Sequence, residues 1–151
     1  ELFQGSHISG KQTAQADVDT MRHAFANFCM SYQPSLMGAA EALEGAGWDG
    51  TAGADLGEYE FHNGDTSVFL ATSQTGPQPG CAIMDEATSI AQATDILKQT
   101  LSAIPPAQWA YVEGDYGPYW KLFVEEGYLS ISVQDDLSGN GSAISFELRQ
   151  D

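Results

Sequence analysis

The chain has 151 residues, of which 21 are acidic and 5 are basic, and its formal net charge at pH 7 is −16. This charge disfavours nucleic acid and anionic lipid as partners, because both bind through lysine and arginine side chains that replace counterions. The hydrophobic fraction of 42% is typical of a folded protein. We expect partners that are basic proteins or cationic small molecules, with no nucleic acid and no membrane insertion. The alternative is that the acidity serves only to keep the protein in solution.

The chain is expected to form one domain. Residues 1–10 are interpreted as an expression-tag remnant and a disordered lead-in, because residues 1–7 resemble part of an engineered protease site. Residues 11–151 contain no internal repeat and no stretch with the composition of a linker. We therefore expect a single α+β domain over residues 11–151.

The first half of the chain predicts two helices followed by a hairpin. Apolar residues recur at helical spacing as far as Tyr32, and Pro34 is expected to end that helix. Ser35 is expected to cap the second helix, and the glycine- and aspartate-rich residues 49–57 are expected to form a loop. The pair Asn63-Gly64 between two alternating segments predicts a β-hairpin.

The second half predicts a short strand, one helix and then further strands. Residues 81–84 form the short strand, and Ser89 and Gln92 form a capping box at the start of the helix. The later predicted strands cover residues 109–113, 119–125, 128–134 and 143–149. The expected fold is α+β, with two N-terminal helices and one central helix packed on a mainly antiparallel sheet of about six to seven strands, in the order ααβββαββββ.

Alternation in the last three predicted strands indicates which face of the sheet is buried. Trp120, Leu129 and Ile144 belong to the sets that are expected to face the core. The residues expected on the opposite, open face include Tyr119, Lys121, Phe123, Tyr128, Glu147 and Arg149. Aromatic side chains on such a face indicate a cover, which would be the N-terminal helices, a second copy of the chain in a homodimer, or a partner.

The segment from Tyr111 to Trp120 is the main candidate for binding, because it combines aromatic side chains with carboxylates. Carboxylates beside aromatic faces suit a cationic ligand, and tyrosine and tryptophan provide rigid contact area. The candidate binding residues are Glu113, Asp115, Tyr116, Tyr119 and Trp120. The alternative is a strand–turn–strand connection whose aromatic rings fill the edge of the core.

No pattern points strongly to a metal or a cofactor. Asp136, Ser138 and Asn140 stand at ligand positions of an EF-hand-like calcium loop, but the flanking residues alternate like strands. This segment is therefore interpreted as a hairpin loop and only as a weak calcium candidate. Glu60, His62 and Asp65 either offer carboxylates and an imidazole to a metal or belong to an ordinary hairpin. We expect no cofactor, since the glycines form neither a dinucleotide-binding pattern nor a P-loop.

The two cysteines, Cys29 and Cys81, are expected to form a disulfide, because only one intramolecular pairing is possible and both lie on segments facing one core. Neither belongs to a CxxC redox or zinc pattern. A disulfide predicts that the protein is periplasmic or secreted. The alternative is a pair of reduced, buried cysteines in a cytoplasmic protein.

The predicted order of helix, three strands, helix and further strands is similar to that of the type III secretion chaperones. The resemblance implies a small acidic dimer that holds a segment of an effector protein. Those chaperones are cytosolic, so a disulfide would count against the resemblance.

The leading functional hypothesis is a non-catalytic, exported binding protein that recognises a basic ligand or protein through an acidic aromatic surface. One alternative is an inhibitor, an immunity protein or a secretion-chaperone-like protein that neutralises a specific basic partner. Another is an enzyme of unknown reaction whose carboxylates come from distant positions in the chain. No residue is singled out as catalytic.

Overall fold

The computed structural model describes residues 18–53, 57–72, 79–135 and 141–150, and of residues 51–53 it describes the backbone only. The predicted tag remnant and lead-in, residues 1–10, lies outside the described residues. The helices are α1 (residues 18–24, continued by a π-helical turn, Phe25–Cys29, and a 3-10 turn, Met30–Tyr32), α2 (Ala39–Gly45) and α3 (Ile90–Ser102). The strands are β1 (Asp49–Gly53), β2 (Glu58–Asn63), β3 (Thr66–Ala71), β4 (Gly80–Asp85), β5 (Trp109–Gly114), β6 (Gly117–Val124), β7 (Gly127–Asp135) and β8 (Ser142–Arg149), and a 3-10 turn, Pro106–Gln108, precedes β5.

The strands form one eight-stranded antiparallel sheet in the order β1-β2-β3-β4-β8-β7-β6-β5. Each half of the sheet is a four-stranded meander that begins at an edge and ends in the middle. The two meanders join where β4 pairs with β8, with Ile83 opposite Ile144. Helix α3 connects β4 in the middle to β5 at the far edge.

The predicted α+β class and antiparallel sheet are confirmed, but the predicted number and order of strands are wrong. The sheet has eight strands rather than six to seven, and the order is ααββββαββββ. The additional strand is β1, which lies in the segment predicted to be a loop. Gly50 of β1 is paired with Phe61, and a Cβ atom on Gly50 would overlap the Phe61 ring. Glycine at this position therefore makes room for an aromatic side chain within a strand.

The structure corrects two local boundaries. Helix α2 begins at Ala39 rather than directly after Ser35, because Leu36 has φ of 63° and Gly38 has φ of 91°, and positive φ interrupts a right-handed helix. The predicted hairpin forms between β2 and β3, with its turn one residue later than predicted, at Gly64-Asp65.

The capping box of α3 is confirmed. The Gln92 N–H donates to Ser89 Oγ at 3.1 Å, and the Ser89 N–H donates to Gln92 Oε1 at 2.9 Å. These two bonds satisfy N–H groups that have no partner within the helix, so they fix the point at which α3 begins.

The described helices pack on one face of the sheet, and the core lies between them and the strands. Helix α3 contacts β7 and β8, and the turn at the end of α1 contacts β4. The largest fully buried side chains are Phe25, Met21, Leu36, Leu43, Ile83, Ile96, Leu97, Leu101, Leu129, Ile131, Ile144 and Val68. No helix among the described residues has the length and apolar character needed to cross a membrane.

The predicted disulfide between Cys29 and Cys81 is confirmed. The two residues are 52 positions apart in sequence, and their Cα atoms are 5.7 Å apart. The bond joins the end of the π-helical turn to the central strand β4 beneath it. In the chain-entropy model, closing a loop of this length stabilises the fold by about 4 kcal/mol.

Candidate functional site

The five candidate binding residues are distributed over three places. Asp115 and Tyr116 form the turn between β5 and β6, and Tyr116 is fully exposed. Trp120 is buried on the helix side of the sheet. Glu113 is exposed, and the pairing of β5 with β6 places it on the same side. Tyr119 lies half-buried on the opposite side, because neighbouring residues in a strand point to opposite faces. The structure therefore brings these residues together in part, and not on one surface.

We define the open face as the side of the sheet that points away from the helices. Tyr119, Lys121, Phe123, Tyr128, Glu147 and Arg149 lie on it by strand alternation and register. Phe123 is 48% exposed. The described helices all pack on the other side of the sheet, so α1 and α2 are not the cover that the aromatic residues indicated. That a second copy of the chain or a partner covers the open face stays a prediction.

A groove of about 850 Å³ lies over the middle of the open face. Small side chains form its floor on the central strands, among them Ala82 and Ser145, which are paired with each other. Phe69 of β3 lines one side. Because the floor side chains are short and Phe69 is large, the sheet surface is concave here.

Charged residues line this groove. Glu58 and Glu60 lie on the β2 side, and Glu147 and Arg149 lie on β8. Three carboxylates and one guanidinium give these four residues a net charge of −2. Arg149 is paired with Glu147, so its charge is compensated within the groove lining. The groove therefore presents a negative surface to a ligand.

Beside the groove, the open face becomes aromatic. On strands β6 and β7, Phe123 is paired directly with Tyr128. The Lys121 ammonium lies 4.5 Å from the centre of the Tyr128 ring, which is within the range of a cation–π contact. Tyr119 continues the aromatic patch along β6. The open face thus combines an acidic groove with apolar rings.

His62 connects two polar side chains near the groove. Its Nδ1 atom lies 2.8 Å from Ser67 Oγ, and its Nε2 atom lies 2.7 Å from Glu60 Oε2. Both ring nitrogens are thus engaged. A hydroxyl, an imidazole and a carboxylate in this order occur in nucleophile activation, which is commonly assisted by backbone N–H groups that stabilise an oxyanion. Ser67 lies in β3, which is paired with a strand on each side, so the backbone N–H groups of β3 are used in hydrogen bonds of the sheet. They are therefore not free to stabilise an oxyanion beside Ser67.

The described residues contain no group of three or more His, Cys, Asp or Glu that could hold a metal ion. The weak calcium candidate, Asp136, Ser138 and Asn140, falls outside the residues that the structure describes.

Sequence reasoning missed the groove, although one signal for it was present. Glycine and alanine alternate with larger residues at Gly80 and Ala82, and serine alternates at Ser130 and Ser132. Small residues at every second position predict a row of short side chains on one face of a strand, and therefore a shallow depression there. The rows form one groove only because β4 and β7 both flank β8, which pattern alone does not reveal.

Comparison of the chain with protein-family models, with curated proteins and with solved structures found no match. Function is therefore inferred from the geometry and the charge of the described residues.

Proposed function

We propose that this is a non-catalytic binding protein whose open face takes a basic, amphipathic segment of a partner protein. The observation that carries the proposal is the acidic groove of about 850 Å³ on a sheet face that the described helices leave uncovered. Large sheets normally cover their apolar faces, so exposed rings beside a groove indicate an interaction surface.

Charge supports a basic occupant. The net charge of the chain is −16, and carboxylates outnumber cations in the groove lining. A basic segment would be attracted over a long distance and then held by contacts with Glu58 and Glu60. Its apolar side chains would contact Phe123 and Tyr119, whose rings lie on the same face. An acidic segment would be repelled by the same surface.

The disulfide supports the second part of the proposal, that the protein acts in the periplasm or after secretion. Disulfides form and persist in oxidising compartments, whereas thiols of cytoplasmic proteins are kept reduced. Cys29 and Cys81 are both buried, and the bond holds the end of α1 to β4.

An inhibitor or immunity protein that neutralises a basic enzyme would use the same chemistry. It differs from the binding protein proposed above only in the identity of its partner. The enzyme alternative receives less support. The groove is open to solvent, whereas acid–base chemistry is favoured in a site that excludes water.

The test is a titration with a fluorescently labelled peptide of alternating lysine and leucine, followed by anisotropy. A peptide of alternating glutamate and leucine is the control ligand. The basic peptide is expected to bind, and binding is expected to weaken as salt is added, because salt screens attraction between exposed charges. The acidic peptide is expected not to bind.

Two charge-reversal variants locate the binding surface. Glu58→Lys/Glu60→Lys changes the groove, and Glu41→Lys/Glu44→Lys makes the same change in net charge on exposed positions of α2. We expect the groove variant to lose about tenfold in affinity, which is 1.4 kcal/mol, and the α2 variant to lose much less. Equal losses in both variants, or salt-independent binding, would contradict the proposal.

A further inference from the structure

A second concave site lies on the helix side of the sheet, away from the groove. It is a pocket of about 620 Å³ between α3 and the strands β5, β6 and β7. The strands contribute aromatic and proline surface through Trp109, Tyr111, Pro118 and Trp120. The volume falls in the range of sites that bind small molecules.

The pocket walls are apolar, and their polar atoms are largely engaged. The Trp109 indole N–H donates to the Ile104 carbonyl at 3.3 Å. The Tyr111 and Trp120 rings lie 5.2 Å apart, tilted by 57°. Tyr111 is 50% exposed and Ile90 is 41% exposed, so part of the pocket lining faces solvent. An apolar ligand would bury surface on these rings.

The charge of the lining is opposite to that of the chain as a whole. The chain has 21 acidic and 5 basic residues, yet the lining contains one cation, Lys98, and no carboxylate. None of the three ion pairs found in the described residues involves Lys98. Glu113 stands outside the lining, with its carboxylate 3.5 Å from the Tyr111 hydroxyl.

We propose that this pocket is a second binding site, which takes a small amphipathic anion with an apolar body and one carboxylate or sulfonate group. The body packs against Trp109, Tyr111 and Trp120, and the anionic group pairs with the Lys98 ammonium. The site is independent of the basic segment proposed for the open face, because the two surfaces lie on opposite sides of the sheet.

The experiment uses two fluorescent naphthalene probes that differ in charge. 8-Anilinonaphthalene-1-sulfonate carries a sulfonate, and N-phenyl-1-naphthylamine is its neutral counterpart. Both are expected to bind saturably at one site and to quench tryptophan emission, because Trp109 and Trp120 line the pocket. Failure of both probes to bind would overturn the proposal, whatever the result with basic peptides on the open face.

Three variants test the contacts. Lys98→Glu is expected to weaken binding of the sulfonate about tenfold and to leave binding of the neutral probe unchanged. Lys121→Glu makes the same charge change on the open face and is expected to alter neither. Thr94→Phe fills the pocket from α3 and is expected to abolish binding of both, with circular dichroism to check folding. Unchanged sulfonate affinity in Lys98→Glu, or in folded Thr94→Phe, would overturn the proposal.

Discussion

Asp85 is a buried carboxylate that accepts three hydrogen bonds. It is fully buried at the end of β4, where the chain leaves the sheet for α3. Its carboxylate accepts hydrogen bonds from the Thr66 hydroxyl, from the Thr88 hydroxyl at 2.9 Å and from the Ala87 N–H at 2.8 Å. Ser142 adds a bond of 2.7 Å from its hydroxyl to the Thr88 carbonyl. One carboxylate thus ties β3, β4 and the entry to α3 together.

We predict that Asp85→Ala lowers the free energy of unfolding by about 3 kcal/mol, because it leaves buried donors without an acceptor. Asp85→Asn keeps the shape and one acceptor oxygen, and an intermediate loss is expected. Glu86→Ala, at the exposed neighbouring position, is the control and should change stability by less than about 0.5 kcal/mol. Urea unfolding measures all three, and equal stability of Asp85→Ala and Glu86→Ala would show that the network contributes little.

At the scale of the element, β1 depends on a close approach between Gly50 and Phe61. The Phe61 side chain is 3% exposed, and its ring occupies the space that a Cβ atom on Gly50 would need. Within the part of the chain that the structure describes, strand β1 is at the edge of the sheet and its one partner is β2. Any shift of the ring must therefore disturb either the core or this pairing.

We predict that Gly50→Ala destabilises the protein by about 2 kcal/mol and speeds amide hydrogen exchange in β1 and β2. Gly45→Ala is the matched control, since nothing lies within 4 Å of a Cβ atom at the end of α2. It should be neutral or stabilising by about 0.5 kcal/mol, because alanine is the better helix former. If the amides of β1 exchanged in Gly50→Ala at the same rate as in the parent chain, the Phe61 ring would have moved without loss of strand pairing.

Gly50 illustrates why some elements could be predicted from the sequence and others could not. The Ser89 capping box and the hairpin at Gly64 are set by residues close together in sequence, so they could be predicted. Strand β1 could not, because the reason for glycine at position 50 is the ring of Phe61, eleven positions away in the chain. Local composition there indicates a loop.

The candidate site shows the same division. Alternation alone assigns Tyr119 and Phe123 to one face of β6 and Trp120 to the other. It does not reveal that β8 lies beside β4, which brings Ser145 next to Ala82 and forms the groove. Pairing between strands that are distant in sequence depends on packing in the whole fold, and one sequence contains little direct record of it.

At the scale of the whole molecule, charge opposes compactness. Folding gathers a formal charge of −16 into one domain, and the ion pairs found among the described residues are three, one of which involves His62. Repulsion among carboxylates is greater in the folded state than in the expanded chain, so the charge destabilises the fold. Salt screens such repulsion over distances beyond about 10 Å at 0.1 M.

We predict that sodium chloride raises Tm, by about 2–4 °C for each 1 kcal/mol of repulsion that is screened in a domain of this size. The variant Glu41→Lys/Glu44→Lys tests the cause. Each substitution changes the charge by +2, so the pair brings −16 to −12, and a smaller rise in Tm is expected. Thermal unfolding followed by circular dichroism measures both proteins across a salt series. A flat or falling Tm in the parent chain, or an equal rise in the variant, would show that local contacts and not net charge limit stability. If the predicted rise occurs, the charge reduces stability, so its presence needs a reason other than folding, which the proposed attraction of a basic partner or solubility would each supply.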